Sequence, residues 1–282
     1  MLAHLLPLLQ PRAGEAIYVE PFGGSGVVLL NKDRHPAECY NDRDGELVNL
    51  YRVLRDPDAV VHLWWELVNT PVSREEFRDA LTRRRIETVK TPIERAAAFV
   101  VSCRQRFGGG QPGDTSDSDR NWGTSREISR GMNGMVSRWL GALDQLPAVH
   151  RRVATVVVDQ QDGVRCIEQW DEVSTLFYVD PPYVDKEHFY EGAFGVEDHR
   201  RLGAALNVAK GRVVLSYYPC DLVNELYPKE RWQRRAIDVL ATACGHPRKG
   251  PGQQMKRDPE KLKRTELILT NFDPETRKRI GG

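Results

Sequence analysis

Over the first sixty residues, apolar and polar positions change over in short blocks. Ala16 to Val19 is apolar and partly β-branched, Glu20-Pro21-Phe22-Gly23-Gly24-Ser25-Gly26 follows, and Val27 to Leu30 is apolar again, which predicts strand, tight turn and helix. A second short strand is expected at Glu38 to Asn41. From Asp44 to Arg55, Leu47, Val48, Leu50, Tyr51 and Leu54 recur at helical spacing behind an acidic first turn. These blocks make one βαβα unit.

The strand signal then stops. Between about Pro57 and Cys103 charged helices are expected, with Ser73 and Glu76 as an S-x-x-E cap for the helix through Phe77 and Leu81. Gly108 to Gly134 is rich in Gly, Ser, Asp and Arg with little periodicity, a loop of a length that is usually functional. A helix from Met135 to Leu146 precedes a return of β patterning at Ala154 to Val158, Leu176 to Val179 and Arg212 to Tyr217, with a helix at Val196 to Ala209. Two further extended runs, Arg234 to Val239 and Thr265 to Asn271, suit an antiparallel hairpin at a sheet edge. The class is α/β, with a core in two parts (1–56 and 151–282) interrupted by a mostly helical insertion (57–150).

The 282 residues carry 41 Lys and Arg against 40 Asp and Glu, a net charge of +1, so any nucleic-acid contact has to be regional. No apolar run approaches the 18 residues of a membrane span, and the start lacks a basic leader with a cleavage site, which points to the cytoplasm. The five cysteines are scattered without a CxxC pair, and Cys244 with His246 has no second pair beside it, so no metal site is expected.

The glycine turn lets a ligand approach the main chain. It lacks the GxxxxGK of a phosphate cradle, and Leu29 stands where a dinucleotide fingerprint wants a small residue. With Glu20 before the turn and Asp42 after the next strand, the pattern suits a nucleoside without a phosphate chain; close strand-to-helix packing is the competing explanation. At Tyr178-Val179-Asp180-Pro181-Pro182-Tyr183, an acid ends an apolar strand ahead of two prolines and an aromatic. The prolines stiffen the peptide, so the Asp180 carboxylate and the Pro181 carbonyl stand as neighbouring acceptors with Tyr183 beside them. Such a set suits a planar ring bearing an amino group.

With EPFGGSG at 20–26, ND at 41–42, TPVSREEF at 70–77, YVDPPY at 178–183, LSYY at 215–218 and RTELILTNF at 264–272, the chain resembles the Dam-type (alpha group) adenine-specific DNA methyltransferases, in their prophage-like branch. The resemblance implies a Rossmann-like AdoMet-dependent methyltransferase sheet with a mostly helical DNA-recognition insertion. It implies transfer of the AdoMet methyl group to the N6 amino group of a flipped-out adenine, with no metal. Asp180, Pro181, Pro182 and Tyr183 correspond to its catalytic motif. Glu20, Pro21, Phe22, Gly23, Gly24, Ser25, Gly26, Asp42, Asp162 and Asp180 correspond to its cofactor site, with Asp162 facing the AdoMet adenine and Phe22 near its methionine part. Phe189 and Tyr190 are candidates for lining the base pocket.

Members of this family begin with a lysine-containing PGGK-like motif ahead of the first strand. The chain starts at Met1-Leu2-Ala3 without it, so either the sequence begins late or a weakened hold on AdoMet is expected, with Lys32 or a basic tail residue as candidate substitutes. The implied partner is double-stranded DNA, with a cognate restriction enzyme as a further candidate. Six arginines between 104 and 138 stand in a glycine-rich setting, and Arg104, Arg106, Arg120, Arg126 and Arg130, with Trp122, are the expected DNA contacts. A second basic stretch runs from Arg248 to Arg264, and Arg83-Arg84-Arg85 reads as a solvated helix face. A degenerate AdoMet fold that only binds DNA, methylation of cytosine N4, and an RNA acceptor are the competing functions.

Overall fold

The computed structural model describes residues 1–85, 91–106, 121–123, 125–183, 194–240 and 263–274. The chain opens with a short helix α1 (Leu2–Leu5) and a 3-10 turn (Leu6–Leu8), then β1 (Ile17–Glu20), α2 (Val27–Asn31), β2 (Ala37–Asn41) and α3 (Gly45–Arg55). Three helices follow, α4 (Pro57–Val68), α5 (Arg74–Arg85) and α6 (Pro92–Arg104). Ser73 Oγ accepts the Glu76 N–H (3.1 Å), as its S-x-x-E pattern predicts. Thr91 and Glu94 form a second, reciprocal cap at the start of α6.

Beyond Arg104 come a small hairpin, β3 (Ile128–Ser129) with β4 (Met132–Asn133), and the long helix α7 (Gly134–Val153). The sequence predicts neither that hairpin nor the last seven residues of α7. Pro147 lies inside the helix, where it lacks a donor and ordinarily breaks the ladder. The apolar face continues past it through Val149 and Val153 onto the core, and this packing carries the helix seven residues beyond the expected end. The strand expected from Ala154 therefore begins later, as β5 (Val157–Asp159).

The remaining elements are α8 (Gly163–Trp170), β6 (Thr175–Val179), α9 (Val196–Val208), β7 (Arg212–Tyr217), α10 (Asp221–Leu226), β8 (Gln233–Leu240) and β9 (Lys263–Thr270). Among the described residues seven strands form one sheet in the order β5-β2-β1-β6-β7-β9-β8. The first five run parallel, and β9 is antiparallel to both β7 and β8, the expected edge hairpin.

Both faces of the sheet are covered, which is why its central strands read as continuous apolar runs. Tyr18, Tyr40, Leu176, Tyr178 and Val214 pack on one face with α2, α3, α4 and α7. Val19, Cys39, Phe177, Val179, Val213 and Leu215 pack on the other with α8, α9 and α10. The chain leaves β1 toward β2 on one side and leaves β6 toward β7 on the other. Strand order therefore reverses between β1 and β6, and their carboxyl ends border the crevice where open α/β sheets bind ligands. The glycine turn follows β1, and Asp180 follows β6. No helix among the described residues is long and apolar enough to cross a membrane.

Candidate functional site

The glycine turn is held by the protein's own groups. Gly23 N–H donates to the Asn41 carbonyl (2.8 Å), Gly24 N–H to Asp42 Oδ2 (2.7 Å) and Gly26 N–H to the Gly23 carbonyl (2.8 Å). Gly24 and Gly26 have φ of +51° and +62°, a region that L side chains enter at a cost. Behind the turn the rings of Tyr40 and Tyr51 stack at 4.0 Å. Tyr40 donates to the Gly24 carbonyl (2.6 Å) and Tyr51 to the Ser25 carbonyl (2.9 Å). The space that side chains at 23 and 26 would need is filled by those tyrosines: a Cβ would stand 2.2 Å from the Tyr40 ring and 1.8 Å from the Tyr51 hydroxyl. Since these three amides are already donating, the turn offers an anion little, in agreement with a ligand that brings no phosphate chain.

Acidic and amide groups gather at the neighbouring strand ends. Glu20, fully buried, accepts the Tyr18 hydroxyl (2.6 Å). Burial pushes its carboxyl up to about 7, against the opposing pull of the Tyr18 hydroxyl and Lys32. Asp42 accepts Gly24 N–H on one oxygen and Asp44 N–H on the other (2.8 Å), and burial raises its pKa despite these bonds. The Arg43 N–H also bears on the carboxylate, whose roughly four acceptor sites still leave capacity for a ribose hydroxyl. Asn41, wholly buried, ties three strand ends together: its amide donates to the carbonyls of Pro21 (2.8 Å) and Gln161 (3.1 Å), and its Oδ1 accepts Gln161 N–H (2.9 Å).

Asp162 caps α8 through the N–H groups of Val164 and Arg165, and its other oxygen receives Arg201 Nη2 (2.6 Å). Phe22 closes over the start of that helix, where a Cβ on Gly163 would lie 2.4 Å from its ring. Lys32 acts on Glu20 only through its charge and is bonded to Glu38 instead. Its ammonium is buried against Glu38 (2.5 Å), which Arg152 also holds, and lies 4.0 Å above the Tyr18 ring.

At the end of β6, Asp180 is exposed and receives two hydroxyls, Tyr183 on Oδ1 (2.8 Å) and Tyr178 on Oδ2 (3.4 Å). Ser216 on the adjacent strand meets the Tyr178 hydroxyl (3.2 Å). Tyr183 is half-buried against Tyr218 (4.4 Å between centroids) and Tyr217 (6.0 Å). Burial first, and then the Asp180 charge, raise the Tyr183 pKa, so its hydroxyl stays a donor. Pro181 is buried. The arrangement presents an exposed acceptor beside an aromatic ring on a stiffened peptide.

The residues expected to touch DNA are placed unevenly. Arg104 is exposed at the last turn of α6, and Arg126 and Arg130 are exposed beside and on the small hairpin. Arg130 reaches back to the Ser137 carbonyl (3.4 Å). Arg106 departs from the surface role expected of it: its side chain is 5% exposed, and its backbone pairs with Trp122. Trp122 is half-buried beneath the Arg74 guanidinium (5.0 Å). Their bridge joins a residue ahead of the glycine-rich segment to the middle of it. Arg84 is likewise not solvated, since it lies over the Phe99 ring (5.1 Å) and donates to Ser102 Oγ (3.1 Å). Arg120, Phe189, Tyr190 and the basic stretch from Arg248 to Lys261 lie outside the described residues.

Sequence reasoning missed Tyr40, Tyr51 and Arg201, and it read Asn41 only as part of the ND motif. Their signal was present only in part, as polar atoms inside otherwise apolar runs. The family model for D12 class N6 adenine-specific DNA methyltransferases matches residues 2–237. No curated protein matches the chain.

Proposed function

The chain belongs to the D12 class N6 adenine-specific DNA methyltransferase family, an AdoMet-dependent N6-adenine DNA methyltransferase, and from that premise we propose how its residues divide the work. Membership assigns the acceptor to adenine N6 in DNA, ahead of cytosine, RNA or an inactive fold.

The donor set suits AdoMet, a cation with a ribose diol. Glu20 ends β1, Asp42 follows β2, and Gly24, where a Cβ would meet nothing within 4 Å, leaves the turn open on its outer side. Glu20, Pro21, Phe22, Gly23, Gly24, Ser25, Gly26, Asp42, Asp162 and Asp180 would border it, Asp42 at the ribose hydroxyls. When bound, AdoMet supplies an electrophilic methyl group on a sulfonium. Arg201 orients Asp162 by pairing with it. Lys32, committed to Glu38, is not offered to the donor.

The exocyclic nitrogen of adenine is a poor nucleophile because its lone pair is delocalised into the ring. Asp180 and the Pro181 carbonyl accept its two N–H bonds, which favours a localised lone pair directed at the methyl group. Tyr183 stacks on the base, which has to leave the duplex to reach this edge. The Tyr178 and Tyr183 hydroxyls hold the Asp180 carboxylate in place. The single observation that carries this reading is Asp180, exposed at the end of β6 beside Tyr183 and one strand from the glycine turn.

Residues 57–150 serve target recognition in this scheme, with double-stranded DNA as substrate. Arg104, Arg126 and Arg130 make contacts, Arg120 belongs to the same segment, and Arg106 and Trp122 pair within it. The segment Thr70 to Phe77 supports a place in the prophage-like branch. The test is mass spectrometry of nucleosides from unmethylated DNA incubated with AdoMet and the protein. N6-methyladenine is expected with the unaltered chain and none with Asp180→Ala; full activity in that variant would overturn the assignment of Asp180.

A further inference from the structure

Tyr183, which the functional reading puts against the base, and Phe22, which it puts near the methyl donor, are the two ends of one aromatic chain. Tyr183 borders Tyr217 (6.0 Å between centroids), Tyr217 borders His199 (5.7 Å), His199 stands edge-on to Phe194 (4.8 Å), and Phe194 edge-on to Phe22 (5.6 Å). Ring contacts alone tolerate sliding. The one directional link in this chain is the hydrogen bond between the Tyr217 hydroxyl and His199 Nδ1 (2.5 Å).

His199 is fully buried on α9, and its Nε2 has no partner among the described residues. Burial lowers its pKa and keeps the ring neutral, with Asp198 pulling the other way. A phenylalanine would fill this space without burying a ring nitrogen, so what the imidazole adds is the bond to Tyr217. Tyr217 is itself buried on β7, one strand from Asp180, and Phe194 sits just ahead of α9.

We propose that His199 is a positioning residue for the methyl transfer. Its bond to Tyr217 fixes one of the two rings on which Tyr183 rests, the other being Tyr218, and its seat against Phe194 fixes Phe22, so one side chain bears on the separation between base and donor. This rests on the functional reading above.

The test compares Tyr217→Phe, His199→Phe and the double variant in single-turnover and steady-state methylation of unmethylated DNA, with rates normalised to sites titrated by AdoMet. Tyr217→Phe removes one oxygen and leaves the packing intact, so it is the variant least open to misfolding. Each single variant is expected to lose about tenfold in kcat, because a small misplacement of a reacting group is costly. The AdoMet dissociation constant and the KM for DNA are expected to stay within twofold. The double variant is expected to fall no further than Tyr217→Phe alone, since that change already removes the bond that His199→Phe removes.

A kcat within twofold of the unaltered protein in either single variant overturns the inference, as does a double variant whose loss equals the product of the two. A lowered melting temperature with an unchanged rate per titrated site overturns it too, because that is a structural role only. Absence of N6-methyladenine with the unaltered protein would instead overturn the functional reading, and the inference with it.

Discussion

Glu20 offers the sharpest quantitative test of the site's electrostatics. Its ordinary pKa of 4.5 is pushed up to about 7 by burial, so in the folded chain it holds its proton across a range where the unfolded chain has released it. A group whose folded pKa is raised contributes stability that is fully present below its unfolded pKa and is lost as pH rises through the folded one. The window therefore runs from about pH 4.5 to about pH 7, and the full loss is about 3 kcal/mol. Glu20→Gln keeps the size and an acceptor for the Tyr18 hydroxyl but cannot ionise. The variant should gain stability over the unaltered protein as pH is raised through this window, by up to about 3 kcal/mol, and the difference should level off above it. For a chain of this length that is a difference of about 6 °C in melting temperature. Urea unfolding of both proteins at half-unit pH steps measures it. A difference that does not change between pH 4.5 and pH 8 would show that Glu20 ionises freely in the fold.

Gly26→Ala places a methyl group on the Tyr51 hydroxyl at a positive φ, and AdoMet binding measured by calorimetry should weaken at least about tenfold. Asn41→Ala leaves the Gln161 amide and two carbonyls without their partner and should cost about 3 kcal/mol in chemical denaturation; a loss below about 1 kcal/mol would remove Asn41 as the tie between strand ends. Arg126→Ala and Arg130→Ala should each lower the slope of log affinity for DNA against log salt by about 1, and an unchanged slope in both would take the hairpin out of the DNA contact.

The parts of the site carried by a few consecutive residues were legible in the sequence. The glycine turn and the stiff peptide at Asp180 each announce a local geometry, and the blocks around them predict the strands that present them. What stayed hidden depends on partners distant in sequence. Tyr40 and Tyr51 read as ordinary members of a strand and a helix, yet their hydroxyls reach carbonyls 16 and 26 residues away. Asn41 reads as the polar end of a strand, and its bonds to Gln161 span 120 residues. Arg106 has the charge and glycine neighbours of a surface contact, whereas pairing with Trp122 draws it inward. Pro147 reads as a stop, and the apolar face of α7 overrides it.

The two stacked tyrosines behind the glycine turn have a thermodynamic consequence. Since the amides of Gly23, Gly24 and Gly26 and the carbonyls of Gly24 and Ser25 already have partners within the chain, the turn gives up its conformational entropy when the protein folds rather than when a ligand arrives. Its amide protons should exchange slowly with solvent in the empty protein and change little on binding. Affinity then becomes adjustable from behind: loosening the stack by altering Tyr40 or Tyr51 returns the ordering cost to the binding step, without changing any atom that faces the ligand.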